Sequence, residues 1–267
     1  MGSRSWLTAV LAAGLAAGAL TGCSPDETRV TVMAGTTLVD GRLLEEVTAD
    51  YEAQRPNVRL SVVGAPTARA LALAEAGSAD VTITHDPSLE ERFISEGRAE
   101  LAEEVFSSRF ILAGPRRVSG ALRGMSVVEA FGRIAEQGHL FVSRADGSGT
   151  HQVEREIWDR AGVDPTGMQW YVETRQGMGL TLQVASQREA FVLVELSVFL
   201  TAGETTGLVD AALDPAGLDN PYRAMAVKGS PVADESRAFV EWLGSQGGRE
   251  AVRRANLELY GAQIFEP

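Results

Sequence analysis

The chain has 267 residues, of which 45% are hydrophobic and 22% are charged, a composition typical of a globular protein with a sizeable core. Its 36 acidic and 24 basic residues give a formal net charge of −12. Binding to a phosphate backbone requires clustered Lys and Arg, and no basic stripe is visible, so the charge pattern argues against nucleic acid as a partner. It does not exclude an anionic ligand, because a buried site depends on nearby donors more than on whole-molecule charge.

The first residues have the pattern of an export signal. Arg4 is followed by an apolar run over residues 6–20, which is too short to span a bilayer comfortably. The run leads into Leu-Thr-Gly-Cys, ending at Cys23, which resembles the lipobox of bacterial lipoproteins. We therefore expect residues 1–22 to be a signal peptide, Cys23 to carry the lipid, and residues 23–28 to form a polar tether.

Cys23 is the only cysteine of the chain. An exported protein with a single cysteine has no internal disulfide framework, and acylation would remove an exposed reactive thiol. The alternative is a chance cysteine beside an ordinary signal peptide. The lipobox favours an exported protein that is anchored by its lipid to the outer face of the cytoplasmic membrane.

Beyond the tether, strand patterns alternate with helix patterns. Strands are predicted at 29–34, 58–63, 81–84 and 109–113, and helices at 41–55, 67–76 and 88–96. The last helix begins with a capping-box pattern at Ser88. This alternation predicts a mostly parallel sheet with helices on both faces.

A polar, glycine-containing stretch at residues 116–124 is interpreted as a crossing between two lobes. A second α/β set follows, with helices predicted at 126–137, 150–161, 177–187, 234–245 and 249–256, and strands at 140–143, 170–173, 191–194 and 224–227. The pattern predicts an α/β fold of two lobes with two hinge crossings and a ligand cleft between them. We expect residues 29–114 plus 222–267 to form lobe I, and residues 115–221 to form lobe II.

The segment Ser-Arg-Ala-Asp-Gly-Ser-Gly-Thr-His, residues 143–151, lies between a predicted strand and a predicted helix. A Gly-rich loop at a helix N-terminus suits an anion, because the first backbone N–H groups, here around Gly149, have no partner within the helix. Ser148 and Thr150 add hydroxyl donors. Arg144 adds a planar fork that fits an oxyanion.

Two other interpretations of this segment remain open. Ser148 could be a nucleophile activated by His151, but a hydrolase elbow has glycine two residues before the serine, where this chain has Asp146. Ser148 or Thr150 could instead only cap the helix in a tight turn.

Weaker candidates lie elsewhere. Gly177 and Met178, in Arg-Gln-Gly-Met-Gly, stand at a predicted helix start where the backbone could approach a ligand. Thr36 and Thr37 follow the first strand, at the sheet edge where such folds bind ligands. His85, beside an aspartate, suggests a metal, but the three histidines show no metal-ligand spacing, so no metal site or cofactor is expected.

Together these segments resemble one family, the tungstate-binding lipoproteins of ABC importers, which have the type II periplasmic binding-protein fold. The similarity covers nearly all of the chain beyond the tether. Its main matches are Ala79-Asp80-Val81, Thr84-His85-Asp86-Pro87, Ser143-Arg144, Asp146-Gly147-Ser148-Gly149-Thr150-His151, Trp170-Tyr171, Gln176-Gly177-Met178-Gly179 and Asn220-Pro221-Tyr222.

The resemblance implies a monomeric receptor without enzymatic activity, which captures tungstate or molybdate and delivers it to an ABC permease. It implies that the oxyanion is held by Thr36, Thr37, Arg144 and Thr150, with Ser148 close by. The complete set of expected ligand-binding residues is Thr36, Thr37, Thr67, Arg144, Ser148, Gly149, Thr150, Arg175, Gly177 and Met178.

The chain departs from the family pattern at several positions. Leu38 and Val39 replace hydroxyl residues of the first loop, and Val-Glu-Leu ending at Leu196 replaces a late Thr-Asp-Arg. Gly-Ala-Pro-Thr ending at Thr67 stands where Gly-Thr-Gly is usual, and Arg175 stands where glycine is common. These changes predict fewer donors from lobe I, with Arg175 adding compensating charge. The alternatives are a receptor for another anion, or a surface lipoprotein that acts as a sensor or interaction partner without transport.

Overall fold

The computed structural model describes residues 27–267, without the side chains of residues 203 and 204. The expected signal peptide, the lipidation site Cys23 and most of the tether therefore lie outside the described residues. The last tether residue, Thr28, is already part of a strand, and its N–H donates to the carbonyl of Asn57 at 2.8 Å.

The first part of the chain alternates strands and helices as predicted. Its elements are β1 (Thr28–Gly35), α1 (Thr36–Asp40), α2 (Leu43–Gln54), β2 (Val58–Ala65), α3 (Thr67–Glu75), β3 (Val81–Thr84) and α4 (Pro87–Ser95). Helix α2 forms because Leu43, Leu44, Val47 and Tyr51 recur on one face, and that face is buried. Helix α4 is capped by Asp86, whose carboxylate accepts from Leu89 N, so the capping box predicted at Ser88 is wrong.

The middle of the chain begins with a strand of 17 residues. The elements are β4 (Ala99–Pro115), α5 (Arg116–Ser119), a 3₁₀ helix (Gly120–Leu122), α6 (Val127–Gln137), β5 (Phe141–Ser143), α7 (Gly149–Arg160), β6 (Tyr171–Glu173), α8 (Met178–Arg188), β7 (Val192–Glu195), α9 (Leu196–Ala202), a second 3₁₀ helix (Gly203–Thr206) and β8 (Leu208–Asp210). Helix α6 begins with a capping box that Ser126 and Glu129 form.

The chain ends with β9 (Asp219–Val227), α10 (Ala233–Gly244) and α11 (Gln246–Tyr260). The main sheet has the order β2-β1-β3-β9-β4-β7, and β8 also pairs with β4. Strands β1, β2 and β3 are parallel, but β9 is antiparallel to both β3 and β4, and β7 and β8 are antiparallel to β4. The prediction of a mostly parallel sheet is therefore wrong for its second half.

Buried side chains form four clusters, and two of these clusters together make the core of each lobe. The lobe I core uses residues between 30 and 106 and between 222 and 265, and the lobe II core uses residues between 110 and 218. Strand β4 runs through both, because it pairs with β9 up to Arg109 and with β7 from Phe110. The two-lobed α/β fold is as expected, and the lobe limits given above stay a prediction.

The stretch at residues 116–124 does not form the expected crossing. It contains α5 and the first 3₁₀ helix, and its Val118 and Leu122 pack in the lobe II core. Among the helices at residues 27–267, none is both long and apolar enough to cross a membrane.

Candidate functional site

Lobe I brings two of the predicted threonines to one sheet edge. Strands β1 and β2 are parallel with Gly35 opposite Ala65, so their carboxyl ends lie side by side. Thr36 starts α1 directly after β1, and Thr67 starts α3 two residues after β2. Both hydroxyls therefore lie where parallel sheets commonly bind ligands.

Lobe II contributes the loop between β5 and α7. Ser148 caps α7, and its Oγ accepts from His151 N at 3.4 Å, so the capping interpretation applies to Ser148. The Ser148 side chain also hydrogen-bonds to the Asp146 carboxylate, so the loop itself uses its hydroxyl proton. His151 Nδ1 accepts from Gly147 N at 3.1 Å, which does not fit the role of a base acting on Ser148.

Arg144 connects the two lobes. Its side chain is 1% exposed, and its Nε and Nη2 donate to Asp146 Oδ2 at 3.1 and 2.6 Å. Nη2 also donates to Thr36 Oγ1 at 2.9 Å, across the gap between the lobes. Burial by itself raises the pKa of Asp146, but the charge of Arg144 and hydrogen bonds from Ser148 lower it overall, so the loop keeps its carboxylate ionised.

Three predicted ligand-binding residues have buried polar atoms without a hydrogen-bond partner. Seven such side-chain atoms occur among the described residues, and three of them are Arg144 Nη1, Thr67 Oγ1 and Thr150 Oγ1. Each unpaired buried group costs about 1–3 kcal/mol, so such atoms are rare in a folded core. Both lobes thus contribute buried polar groups without a partner, Thr67 from lobe I and Arg144 and Thr150 from lobe II.

His85 lies between the two half-sites. A Cβ on Gly35 would stand 3.1 Å from its ring, and a Cβ on Gly149 would stand 2.7 Å from it, so both glycines are needed for this packing. Burial lowers the pKa of His85 to about 4, which keeps the ring neutral at neutral pH. Within residues 27–267, no group of three or more His, Cys, Asp or Glu side chains could hold a metal ion.

A hydrogen-bonded row extends from this histidine to Thr37. His85 Nδ1 lies 2.8 Å from Asn220 Oδ1, Asn220 Nδ2 lies 2.8 Å from the Tyr222 hydroxyl, and that hydroxyl lies 3.1 Å from Thr37 Oγ1. Sequence reasoning did not include His85, Asn220 and Tyr222 in the site. In the sequence, these residues were marked for the oxyanion site only by their place in two segments that match the family, residues 84–87 and 220–222.

Glu154 supports the lobe II loop from inside. It accepts from the Tyr171 hydroxyl at 2.7 Å and from Trp158 Nε1 at 3.3 Å. Burial raises the pKa of Glu154 to about 7 despite these hydrogen bonds and one from Ser143. The carboxyl group thus ties α7 to both strands of the small parallel pair, β5 and β6, and fixes where α7 starts.

The structure does not bring Arg175 to the buried groups. Its φ is 55°, its side chain is 77% exposed, and its guanidinium lies 3.3 Å from the carboxylate of Glu173. The expected compensating charge in the cleft therefore does not fit this placement. Met178 also differs from its expected role, because its side chain is 0% exposed and packs in the lobe II core, which leaves only its backbone for a ligand.

Gly177 caps helix α8 at the edge of an open cavity of about 720 Å³. Asp40 lines the same cavity from α1, and its carboxylate accepts from Gly179 N at 3.4 Å. Of the two residues that replace family hydroxyls, Leu38 packs in the lobe I core, whereas Val39 is 40% exposed. The replacement of a family hydroxyl residue by Leu38 therefore adds an apolar side chain to the lobe I core.

Two α/β lobes that share a long strand, each with buried polar groups that lack a partner, are typical of the class of two-lobed solute-binding proteins. The PBP superfamily domain model matches residues 23–246. A tungstate-binding protein TupA of Peptoclostridium acidaminophilum is 30% identical over an alignment of 282 positions. The alignment covers 98% of this chain and 97% of that protein.

Two further relatives agree with this match. A Haloferax volcanii protein provisionally named an ABC transporter anion-binding protein is 32% identical over 248 residues, covering 89% of this chain and 71% of that protein. The solved structure of the tungstate ABC transporter from Geobacter sulfurreducens is 33% identical, with a TM-score of 0.77, and the match covers 86% of this chain and 99% of that one. The chain belongs to the PBP superfamily and, within it, to the family of the tungstate-binding proteins.

Proposed function

We propose that this protein is an extracytoplasmic receptor of an ABC importer and captures a tetrahedral oxyanion, tungstate or molybdate, between its lobes. The observation that carries the proposal is the set of buried donors without a partner, Arg144 Nη1, Thr67 Oγ1 and Thr150 Oγ1. These donors come from both lobes, and the similar proteins reported above are named as tungstate- or anion-binding proteins or as a tungstate ABC transporter.

Each group has a distinct role in this proposal. Arg144 supplies the positive charge that offsets the dianion, in a site where low solvent exposure strengthens the attraction. Thr36, Thr37, Thr67 and Thr150 donate hydroxyl protons. The backbone N–H group of Gly149, at the start of α7, adds the favourable end of the helix dipole, whereas the N–H of Ser148 already donates to Asp146 Oδ1 at 3.0 Å.

Binding would favour a closed arrangement of the lobes. Arg144 already spans the gap through its hydrogen bond to Thr36, so the ligand and this bond favour the same arrangement. A ligand that contacts both lobes binds the closed form better than the open one, and therefore shifts the equilibrium towards closure. Gly177 and the backbone of Met178 would approach the ligand from α8, whereas the exposed Arg175 is left out of the proposed ligand set.

A panel of anions tests the function directly. All buried residues of the cores lie between 30 and 265, so a chain starting at Ser24 keeps the fold. Tungstate or molybdate at about a hundred times its dissociation constant adds about 2.7 kcal/mol of stability, which raises Tm by roughly 5–10 °C for a protein of this size. Sulfate, phosphate and small organic acids serve as comparisons. No shift with either metal oxyanion at millimolar concentration would refute the proposal.

The proposed setting of the protein needs its own tests. We expect the mature chain to be monomeric and to be held at the membrane by a lipid on Cys23, where it delivers its cargo to a permease. Mass spectrometry of the membrane-extracted protein should show the diacylglycerol mass on Cys23, and Cys23→Ala should release the protein from the membrane fraction. Light scattering of the soluble chain should give the mass of one copy.

A further inference from the structure

The row from His85 to Thr37 has a defined direction. An amide oxygen can only accept a hydrogen bond, so the proton between His85 and Asn220 Oδ1 is carried by His85 Nδ1. The ring is neutral at neutral pH, because burial and the nearby charge of Arg144 lower the pKa of His85 to about 4. The structure thus defines a single tautomer of His85, protonated on Nδ1.

The other end of Asn220 sets the direction of the next two bonds. An amide nitrogen can only donate, so Tyr222 Oη accepts from Asn220 Nδ2 and keeps its own proton for another partner. Thr37 Oγ1 lies 3.1 Å away, and in the direction proposed below it accepts that proton. Ser108 also lies near this hydroxyl, and its own proton goes to Glu195. With Thr37 accepting from Tyr222, the hydroxyl proton of Thr37 remains unused.

We propose that Asn220 is a positioning residue that fixes the direction of this row, so that Thr37 offers a proton to the bound oxyanion. The proposal rests on the oxyanion-binding function inferred above. An oxyanion without protons has only acceptors, and a hydroxyl facing it must donate. If the row ran the other way, Thr37 would donate to Tyr222 and turn a lone pair towards the ligand, which would weaken binding.

Asn220→Asp tests the direction without a change in side-chain shape. Aspartate has no N–H, so Tyr222 donates to the new carboxylate and Thr37 must donate to Tyr222. We expect tungstate and molybdate to bind about tenfold or more weakly, the usual effect of losing one donor to a charged group. Thr37→Val should cause a loss of similar size.

Tyr222→Phe separates direction from charge. It removes the partner of Thr37 and leaves that hydroxyl free to donate, so we expect affinity within about threefold of wild type. In the double variant with Asn220→Asp it should restore most of the lost affinity. A loss that persists in the double variant would mean that the added charge acts on the ligand directly, and would overturn the proposal. Ser108→Ala is the matched control and should leave affinity unchanged. Tighter binding by this variant would show that Tyr222 donates to Ser108 in the wild type and that Thr37 donates to Tyr222, which would overturn the proposal.

The tautomer of His85 provides a test that needs no ligand. Nitrogen-15 NMR of the wild-type chain at neutral pH should show His85 with its proton on Nδ1, assigned by comparison with His85→Gln. Protonation on Nε2 would overturn the proposal even if the wild type binds oxyanions. If the wild type binds no anion but shows the expected tautomer, the proposed function fails while the direction of the row stands. Should Asn220→Asp fail to fold, a loss of affinity with Tyr222→Phe equal to that with Thr37→Val would overturn the proposal.

Discussion

Replacing Arg144 by lysine keeps a positive charge before α7 but removes the planar fork. Arg144 donates twice to Asp146 and once to Thr36, and its Nη1 is buried without a partner. A lysine ammonium on a flexible stem cannot reach Asp146, Thr36 and a ligand in the same geometry. Each charged hydrogen bond is worth about 1.5–3 kcal/mol, so we expect oxyanion affinity to fall about tenfold to a hundredfold.

Arg144→Met gives a second measure of the same group. It leaves Asp146, whose side chain is 12% exposed, without its cation. Removing one partner of a buried ion pair costs about 3–5 kcal/mol, so this variant should lose both binding and stability, whereas the lysine variant should keep most of its stability. Calorimetric titration with molybdate and tungstate measures the first effect, and urea unfolding without ligand measures the second.

Arg175→Met is the matched control, because that side chain is 77% exposed and pairs only with Glu173 among the described residues. It should change affinity less than twofold. If Arg144→Lys bound both oxyanions within threefold of wild type, or if Arg175→Met weakened binding as much as Arg144→Lys, the buried guanidinium would not be a ligand donor.

Three further predictions concern single positions. Thr150→Val removes an unpartnered buried hydroxyl, so thermal melts should show equal or up to about 1 kcal/mol higher stability without ligand, while titration shows about tenfold weaker oxyanion binding. Gly149→Ala places a Cβ 2.7 Å from the His85 ring and should cost about 1–3 kcal/mol in urea unfolding, whereas Gly132→Ala, with nothing within 4 Å in helix α6, should gain about 0.5–1 kcal/mol. Burial raises the pKa of Glu195 to about 7 from an ordinary value of 4.5, so the folded state holds a proton that the unfolded state releases, and stability falls as pH rises from 4.5 towards 7. Glu195→Gln should therefore gain stability relative to wild type as the pH rises from 5 to 8, and a constant difference across that range would contradict this assignment.

Most of the longer helices could be predicted from the sequence because their signals are local, whereas α9 and β8 were not predicted and β4 extends far beyond the strand predicted at 109–113. The apolar spacing of α2 and the Ser126–Glu129 capping box each lie within a few residues of the element that they define. The order of the strands could not be predicted in this way. Strand β9 inserts between β3 and β4 and reverses direction, and its alternating side chains carry no information about which neighbours it pairs with.

The same distinction applies to the site. The composition of the loop at residues 143–151 was enough to select Arg144 and Thr150, and the family resemblance added Thr67; each of the three has a buried atom that lacks a partner. The backbone at Arg175, with its positive φ, turns that side chain outwards, and sequence spacing does not report such a turn. The bond between His85 and Asn220 joins residues 135 positions apart, so only the folded chain shows that they meet.

The discontinuous core of lobe I constrains when the chain can fold. Strand β9 lies in the middle of the main sheet, and Phe265, 0% exposed, packs against Phe106 and Tyr222. A growing chain therefore lacks a central strand until residue 219 has been made, and lacks its last core ring until almost the final residue. Translocation needs an extended chain, so a lobe that completes late would leave time for the export that residues 1–22 predict.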